Sequence, residues 1–345
     1  MLLNVALHGM EHAAGARYHT TGKDAGKSLP GTPVVIRYAD DLAVLCHSRD
    51  EAEQVKAALA GWLRPRGLVF NEGKTRIVTL DEGFDFLGFT VRRQSGKLLI
   101  RPSKAALRRI RERLRTEMLA LRGANAEAVL RRLNPIIRGW SAYYRGVVSS
   151  EAFNALDSYL WTLTYKWAKQ AHPNKSKRWV VTRYFGMFNK SRRARWVFGD
   201  RTSGAYLIKF AWTGIVRHPM VKGASSPDDP ALAQYWADRR RKGSPPPLSQ
   251  LTLRLLKTQR GCCPLCGEML LHADHVPQSP HEWEQWVRAT ERAVCKQAVA
   301  YRRDGKSDEA THLRLVHAHC RRRLVAGGGA KGTALLPACE PLGLA

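Results

Sequence analysis

The chain has 345 residues, with 57 Lys and Arg against 29 Asp and Glu and a formal net charge of +28. That surplus points to a polyanion, nucleic acid first, as partner, because Arg recurs inside helical patterns and not in one terminal run. No apolar run is long enough to span a bilayer and no secretory signal is visible, so neither a membrane protein nor a disulfide-built secreted one is expected.

The length predicts two or three domains, and the apolar fraction of 44% is ordinary for globular proteins. Arg exceeds Lys, and ten Trp and ten Tyr are interleaved with it. Guanidinium groups suit phosphates and aromatic planes suit bases, although the same aromatics also make good core residues. Seven cysteines (46, 262, 263, 266, 295, 320 and 339) include a Cys-x-x-Cys pair. An odd count with that spacing fits a reducing compartment and a metal site.

Residues 33–46 read Pro-Val-Val-Ile-Arg-Tyr-Ala-Asp-Asp-Leu-Ala-Val-Leu-Cys, two apolar strands joined by a tight acidic turn. A helix follows, opened by a capping box of Ser48 and Glu51, lined by Val55, Leu59, Trp62 and Leu63, and closed by Pro65 and Gly67. Short strands are expected at 68–70, 75–80 and 84–91, giving an α+β layer. After Pro102 the period turns helical, with Leu107, Ile110, Leu114, Met118 and Leu121 on one stripe and Arg108, Arg109, Arg111, Arg113 and Arg115 around it. A second helix is expected at about 125–133. Asn134 and Pro135 look like the cap and first position of a third, and a fourth runs from about 151 to 170. Gly243–Pro247 reads as a linker and the stretch from Gly327 as a flexible tail.

Two adjacent aspartates between apolar strands repel each other unless a cation joins them, and nucleotidyl transfer uses divalent cations held by carboxylates. The segment Ile36-Arg-Tyr38-Ala39-Asp40-Asp41-Leu42 resembles the palm signature of reverse transcriptases. Asn71-Glu-Gly-Lys74-Thr75 and Phe86-Leu87-Gly88-Phe89 resemble the next palm motif and the primer grip. The resemblance implies that Asp40 and Asp41 are catalytic, Mg²⁺-binding carboxylates. It places Tyr38 and Ala39 near the incoming nucleotide and primer, Leu87 and Gly88 on the primer strand, and Lys74 among the nucleic-acid contacts. The family's third metal-binding Asp and its fingers precede the equivalent of Leu2-Leu3-Asn4, so this chain alone is expected not to polymerise DNA.

Leu133-Asn134-Pro-Ile-Ile-Arg138-Gly139-Trp140-Ser-Ala-Tyr143-Tyr144 resembles the core motif of the maturase domain of group II intron-encoded proteins, which doubles as the polymerase thumb, and Arg178-Trp179-Val-Val-Thr-Arg183-Tyr184-Phe185 resembles the motif near its end. That resemblance implies intron RNA as partner, with Arg108, Arg111, Arg138, Trp140, Tyr143, Arg178 and Arg183 as contact residues. His218 to Asp229 with Tyr235-Trp236 resembles, more loosely, the DNA-binding region that follows.

Cys263-Pro-Leu-Cys266 and His317-Ala-His319-Cys320 supply two ligand pairs for a structural Zn²⁺, with Cys262 as a competitor for Cys263. Between them, Leu270-Leu-His272-Ala-Asp274-His275-Val-Pro277 resembles the first strand of the HNH nuclease motif. There Asp274 would bind a catalytic Mg²⁺ and His275 would act as general base. His312 stands where the family has Asn, and Arg321 where it has a metal-binding His. The insert between the pairs carries a helix with Trp283 and Trp286.

The expected fold is α+β and multidomain: a partial reverse-transcriptase palm (1–100), a helical maturase/thumb domain (101–200), a DNA-binding region and linker (201–247), a zinc-bound ββα-metal (HNH) module (248–326) and a tail (327–345). The expected function is intron splicing together with target-DNA binding and cleavage, in a cytoplasmic, bacterial setting, with a homodimer as a further candidate assembly. The competing function is a non-catalytic RNA- and DNA-binding protein with a structural zinc module.

Overall fold

The computed structural model describes residues 2–19, 24, 26–189, 192–217, 221, 225, 229–241, 248–271, 277–301 and 310–326. These fall into two compact units, one of residues 1–108 and 217–243, the other of 109–216 and 244–345.

The first unit begins with two short helices, α1 (Leu2–Ala6) and α2 (Met10–Ala13). A hairpin of β1 (Val34–Tyr38) and β2 (Asp41–Leu45) pairs Tyr38 with Asp41. Helix α3 (Arg49–Leu63) follows. Its capping box forms as expected at Ser48, whose Oγ accepts from the Glu51 N–H at 3.1 Å. The Glu51 carboxylate reaches back one residue further, to the His47 N–H at 2.6 Å. Val55, Leu59 and Leu63 are buried with Leu7, Met10 and Ala14, while Val35, Leu42 and Val44 of the hairpin pack against that core. Gly67 closes the helix in the left-handed conformation.

Strands do not form at 68–70 or 75–80. Local turns take the backbone donors there instead: Leu68 N–H donates to Leu63 O at 3.3 Å, and Thr75 N–H to Asn71 O at 2.9 Å. The sheet comes later, as the meander of β3 (Phe84–Phe86), β4 (Phe89–Gln94) and β5 (Lys97–Pro102). Both of its turns have two residues with positive φ, Leu87-Gly88 and Ser95-Gly96. That is the form whose twist matches the flanking strands.

Helix α4 (Lys104–Ala120) carries the expected stripe, with Ile110, Leu114 and Met118 buried. Next comes a single helix, α5 (Ala126–Tyr144), where the sequence suggested two. Pro135 lies in its interior, and Asn134 is not a cap. The Asn134 side chain donates to Tyr206 O at 3.1 Å and accepts from Ile208 N–H at 3.0 Å. The true cap is Asn125, which accepts from Ala128 N–H at 2.8 Å. Helix α6 (Ser150–Ala171) buries Phe153, Leu156, Leu160 and Trp167, and the Trp167 indole donates to Leu121 O at 2.8 Å, just past the end of α4. Helix α7 (Lys177–Tyr184) and the short pair β6 (Phe185–Gly186) and β7 (Val197–Phe198) complete this layer.

A short helix, α8 (Ala233–Arg241), belongs to the first unit. The rest of the second unit is α9 (Gln250–Thr258), α10 (Pro280–Ala293), the hairpin of β8 (Val294–Tyr301) and β9 (Ala310–His317), and α11 (Ala318–Ala326). The expected helix around Trp283 and Trp286 is α10. The linker at 243–247 and the tail from 327 lie outside the described residues. Among the described residues, no helix is long and apolar enough to cross a membrane.

Candidate nucleic-acid interface and metal centre

The β1–β2 turn presents Tyr38, Ala39, Asp40 and Asp41 to solvent. Ala39 has φ of 53°, the first central position of a two-residue turn that ordinarily prefers glycine. The turn therefore carries some backbone strain beside two exposed carboxylates adjacent in sequence, a donor type suited to Mg²⁺. Among the described residues, no third carboxylate joins them in a metal-binding cluster. Leu87 and Gly88 form the β3–β4 turn, half-buried, and Lys74 is exposed in the loop before β3.

On the helices, Arg108, Arg111, Arg178 and Arg183 are exposed as an RNA-binding surface requires. Arg111 lies 5.9 Å above the Tyr159 ring. Tyr143 is half-buried, edge-on to Tyr144 at 4.8 Å. Trp140 corrects the sequence reading. It is only 4% exposed, wedged among Tyr144, Phe153 and Phe210 at centroid distances of 4.3, 5.9 and 5.7 Å. Its ring is core, and no base can stack on it. Arg138 is also committed within the fold, in an ion pair with Glu291.

Among the described residues of the helical layer, tryptophans that the sequence did not single out as contact residues reach solvent. Trp179 is 37% and Trp196 is 55% exposed. Lys175 sits 5.6 Å over the Trp179 ring, and Trp196 meets Trp161 edge-on at 6.5 Å. A shallow cavity lined by Trp161, Trp196, Phe185 and Lys209 has Asp157 in its wall. Burial pushes the Asp157 carboxyl up to about 6, even though the Ala211 and Phe210 N–H groups donate to it. No short-range sequence signal marks Asp157, because its partners lie more than fifty residues away.

The Cys/His unit assembles as its spacing predicts. Ligand atoms of Cys263, Cys266, His317 and Cys320 all lie within 4.8 Å of one another. His317 Nδ1 is 3.4 Å from Cys266 Sγ and 3.9 Å from Cys320 Sγ. Those spacings approximate the edges of a tetrahedron whose zinc–sulfur bonds are about 2.3 Å. The His317 Nε2–H donates to Met269 O at 3.1 Å, leaving Nδ1 as the ligand atom. The Cys263-x-x-Cys266 turn is closed by Gly267 at φ 78°, whose N–H donates to Cys263 O at 2.8 Å. Cys263 is buried in this knuckle with its sulfur in the cluster, whereas Cys262 turns its sulfur toward Arg260 O at 3.8 Å.

Burial raises the Cys263 thiol, but backbone donors from His317, Leu265 and Cys266 outweigh that and bring it below its usual range. Burial, together with the neighbouring Cys266 and Cys263 sulfurs, pushes Cys320 up to about 12. Three sulfurs and one imidazole nitrogen this close together form a possible Cys3His metal site. Asp274 and His275 lie outside the described residues. Arg321 is exposed beside the cluster, and His319 stacks on the His317 ring at 4.9 Å without entering it.

Residues 4–91 match the family model of the reverse transcriptase (RNA-dependent DNA polymerase), and residues 107–185 match that of the group II intron maturase-specific domain. The chain thus carries a reverse-transcriptase segment followed by a maturase-specific domain, a pairing that supports an intron-encoded reverse transcriptase/maturase. No curated protein sequence matches the chain.

Proposed function

We propose that the chain binds a group II intron RNA and promotes its splicing, and that the zinc module beyond the maturase helices acts on target DNA. The carrying observation is the maturase-specific domain at 107–185, with exposed arginines on α4 and α7 around a closed aromatic core. Splicing assistance needs no covalent chemistry from the protein. Guanidinium groups neutralise phosphates, and exposed rings such as Trp179 offer stacking planes, so that the folded RNA is favoured over its alternatives. A titration of intron RNA and of an unrelated RNA of equal length tests this. Intron preference and a steep loss of affinity with salt are expected, and equal, salt-insensitive binding would oppose it.

For the module, Asp274 and His275 are the residues assigned to an HNH-type site, with Mg²⁺ supplying Lewis acidity when bound. Metal-dependent nicking of target DNA that disappears in His275→Ala supports cleavage. A second reading, a zinc-stabilised binder that does not cut, is favoured by one observation. Arg321 stands at the position of a metal-binding His, and a guanidinium cannot ligate a cation.

A further inference from the structure

Helix α10 lies between the two metal-ligand pairs in sequence, yet it packs against α5 of the maturase layer. The crossing point is Gly139. A Cβ there would stand 2.7 Å from Glu284 N and 2.8 Å from Pro280 O. The helices therefore meet backbone to backbone, and only glycine permits it. Val287 is fully buried on the same face of α10, and Glu284 is 1% exposed.

A carboxylate buried that deeply needs compensating charge. Glu284 receives it from Arg113 on α4 at 2.6 Å and from Arg288, one turn along α10, at 2.5 Å. Two turns further on the same face, Glu291 pairs with Arg138 of α5. Glu284 is the sealed anchor, while the Glu291 side chain stays 45% exposed. In a chain with nearly two cations per anion, one helix thus spends two of its carboxylates on two arginines of the maturase-specific domain.

One end of α10 is locally capped and the other is tied to the metal centre. Its first turn is capped by Ser279, which accepts from Glu282 N–H at 3.2 Å, and by Glu282, which accepts from Gln278 N–H at 2.7 Å. At its other end, Val294 pairs directly with the metal ligand His317.

We propose that α10 is an internal docking arm whose carboxylates occupy phosphate sites on α4 and α5, so that the docked zinc module and bound RNA compete for Arg113 and Arg138. Carboxylate and phosphate take the same bidentate approach to a guanidinium, which makes the exchange chemically even-handed. RNA binding then releases the arm, and with it the module that reaches toward DNA. This rests on the RNA-binding reading above, but the two fail differently.

The test uses the full zinc-loaded chain and a labelled RNA oligonucleotide. Hydrogen exchange of wild-type protein should show residues 280–293 protected alone and exposed when RNA is added. The Glu284→Gln/Glu291→Gln variant should expose the same residues without RNA and bind RNA about five-fold tighter, because the docked form no longer depletes the competent one. Unchanged protection of 280–293 on RNA binding, or equal or weaker affinity in the variant, would overturn the competition while leaving RNA binding intact. A chain that does not bind RNA at all would instead remove the functional reading beneath it.

Discussion

Asn134 accepts a hydrogen bond from the backbone N–H of Ile208 at 3.0 Å while donating to the Tyr206 carbonyl at 3.1 Å, which ties the middle of α5 to a segment more than seventy residues away. The same side chain precedes Pro135, the residue that cannot donate within the helix. Asn134→Ala should therefore remove a tertiary staple and not a cap. A loss of about 2 kcal/mol is expected from two half-buried groups left unmatched. Urea denaturation at neutral pH measures it, and an unchanged midpoint would count against the staple.

The metal centre predicts a stoichiometry and a choice of cysteine. One zinc per chain is expected in purified protein, lost in Cys263→Ser and Cys320→Ser and kept in Cys262→Ser. Chelation should loosen α9, β9 and the knuckle together, since Leu256, Leu315 and Val316 share a core with Cys263 and Cys320. Elemental analysis of the three variants decides; zinc retained in Cys263→Ser would contradict the assigned set.

Two tryptophans should part company. Trp140→Ala empties a packed core position and should cost about 3–5 kcal/mol. Trp179→Ala should cost less than about 1 kcal/mol of stability and weaken RNA binding by about 1–3 kcal/mol, the usual worth of one stacked base. Thermal melts paired with RNA titrations separate these effects. A Trp140 variant that folds normally but fails to bind RNA would restore the role its sequence position suggested.

Asp157 predicts a pH dependence. Its carboxyl is raised from 3.8 to about 6 by burial, so between those values the folded state holds a proton that the unfolded state has lost. Stability from this group is present below pH 4 and lost as pH rises through 6. The full span is about 3 kcal/mol, and between pH 5 and 7.5 about 1–2 kcal/mol. Asp157→Asn removes the titration. The stability of wild type relative to Asp157→Asn should therefore fall by that amount from pH 5 to 7.5. A difference that stays constant or rises would contradict the assignment.

Much of the architecture was legible because it is written in local periods. The stripes of α4 and α6, the Ser48–Glu51 cap and the acidic hairpin all depend on residues within a few positions of each other. The Cys/His centre was legible although its halves are far apart, because each pair carries its own spacing. What escaped is set by distant partners. Pro135 reads as a helix start until Tyr206 and Ile208 engage its neighbour. Glu284 carries no local signal of its burial, because its partner Arg113 reaches it from the α4 helix. Residues 68–70 and 75–80 read as strands by composition, but a strand exists only where another backbone pairs with it, and the first donor of each segment, Leu68 and Thr75, goes to a local turn. Trp140 lies in the motif segment that marks the maturase resemblance, yet an aromatic there serves packing as readily as stacking.

The most direct test of the maturase reading is the splicing of a group II intron transcript with and without the purified chain, under salt conditions where the RNA alone splices poorly. The account predicts that ligated exons accumulate faster with the chain, and that Arg178→Ala/Arg183→Ala lowers this gain without lowering the melting temperature. Tight binding to the transcript with no increase in ligated exons, or an increase that survives loss of both arginines, would contradict it.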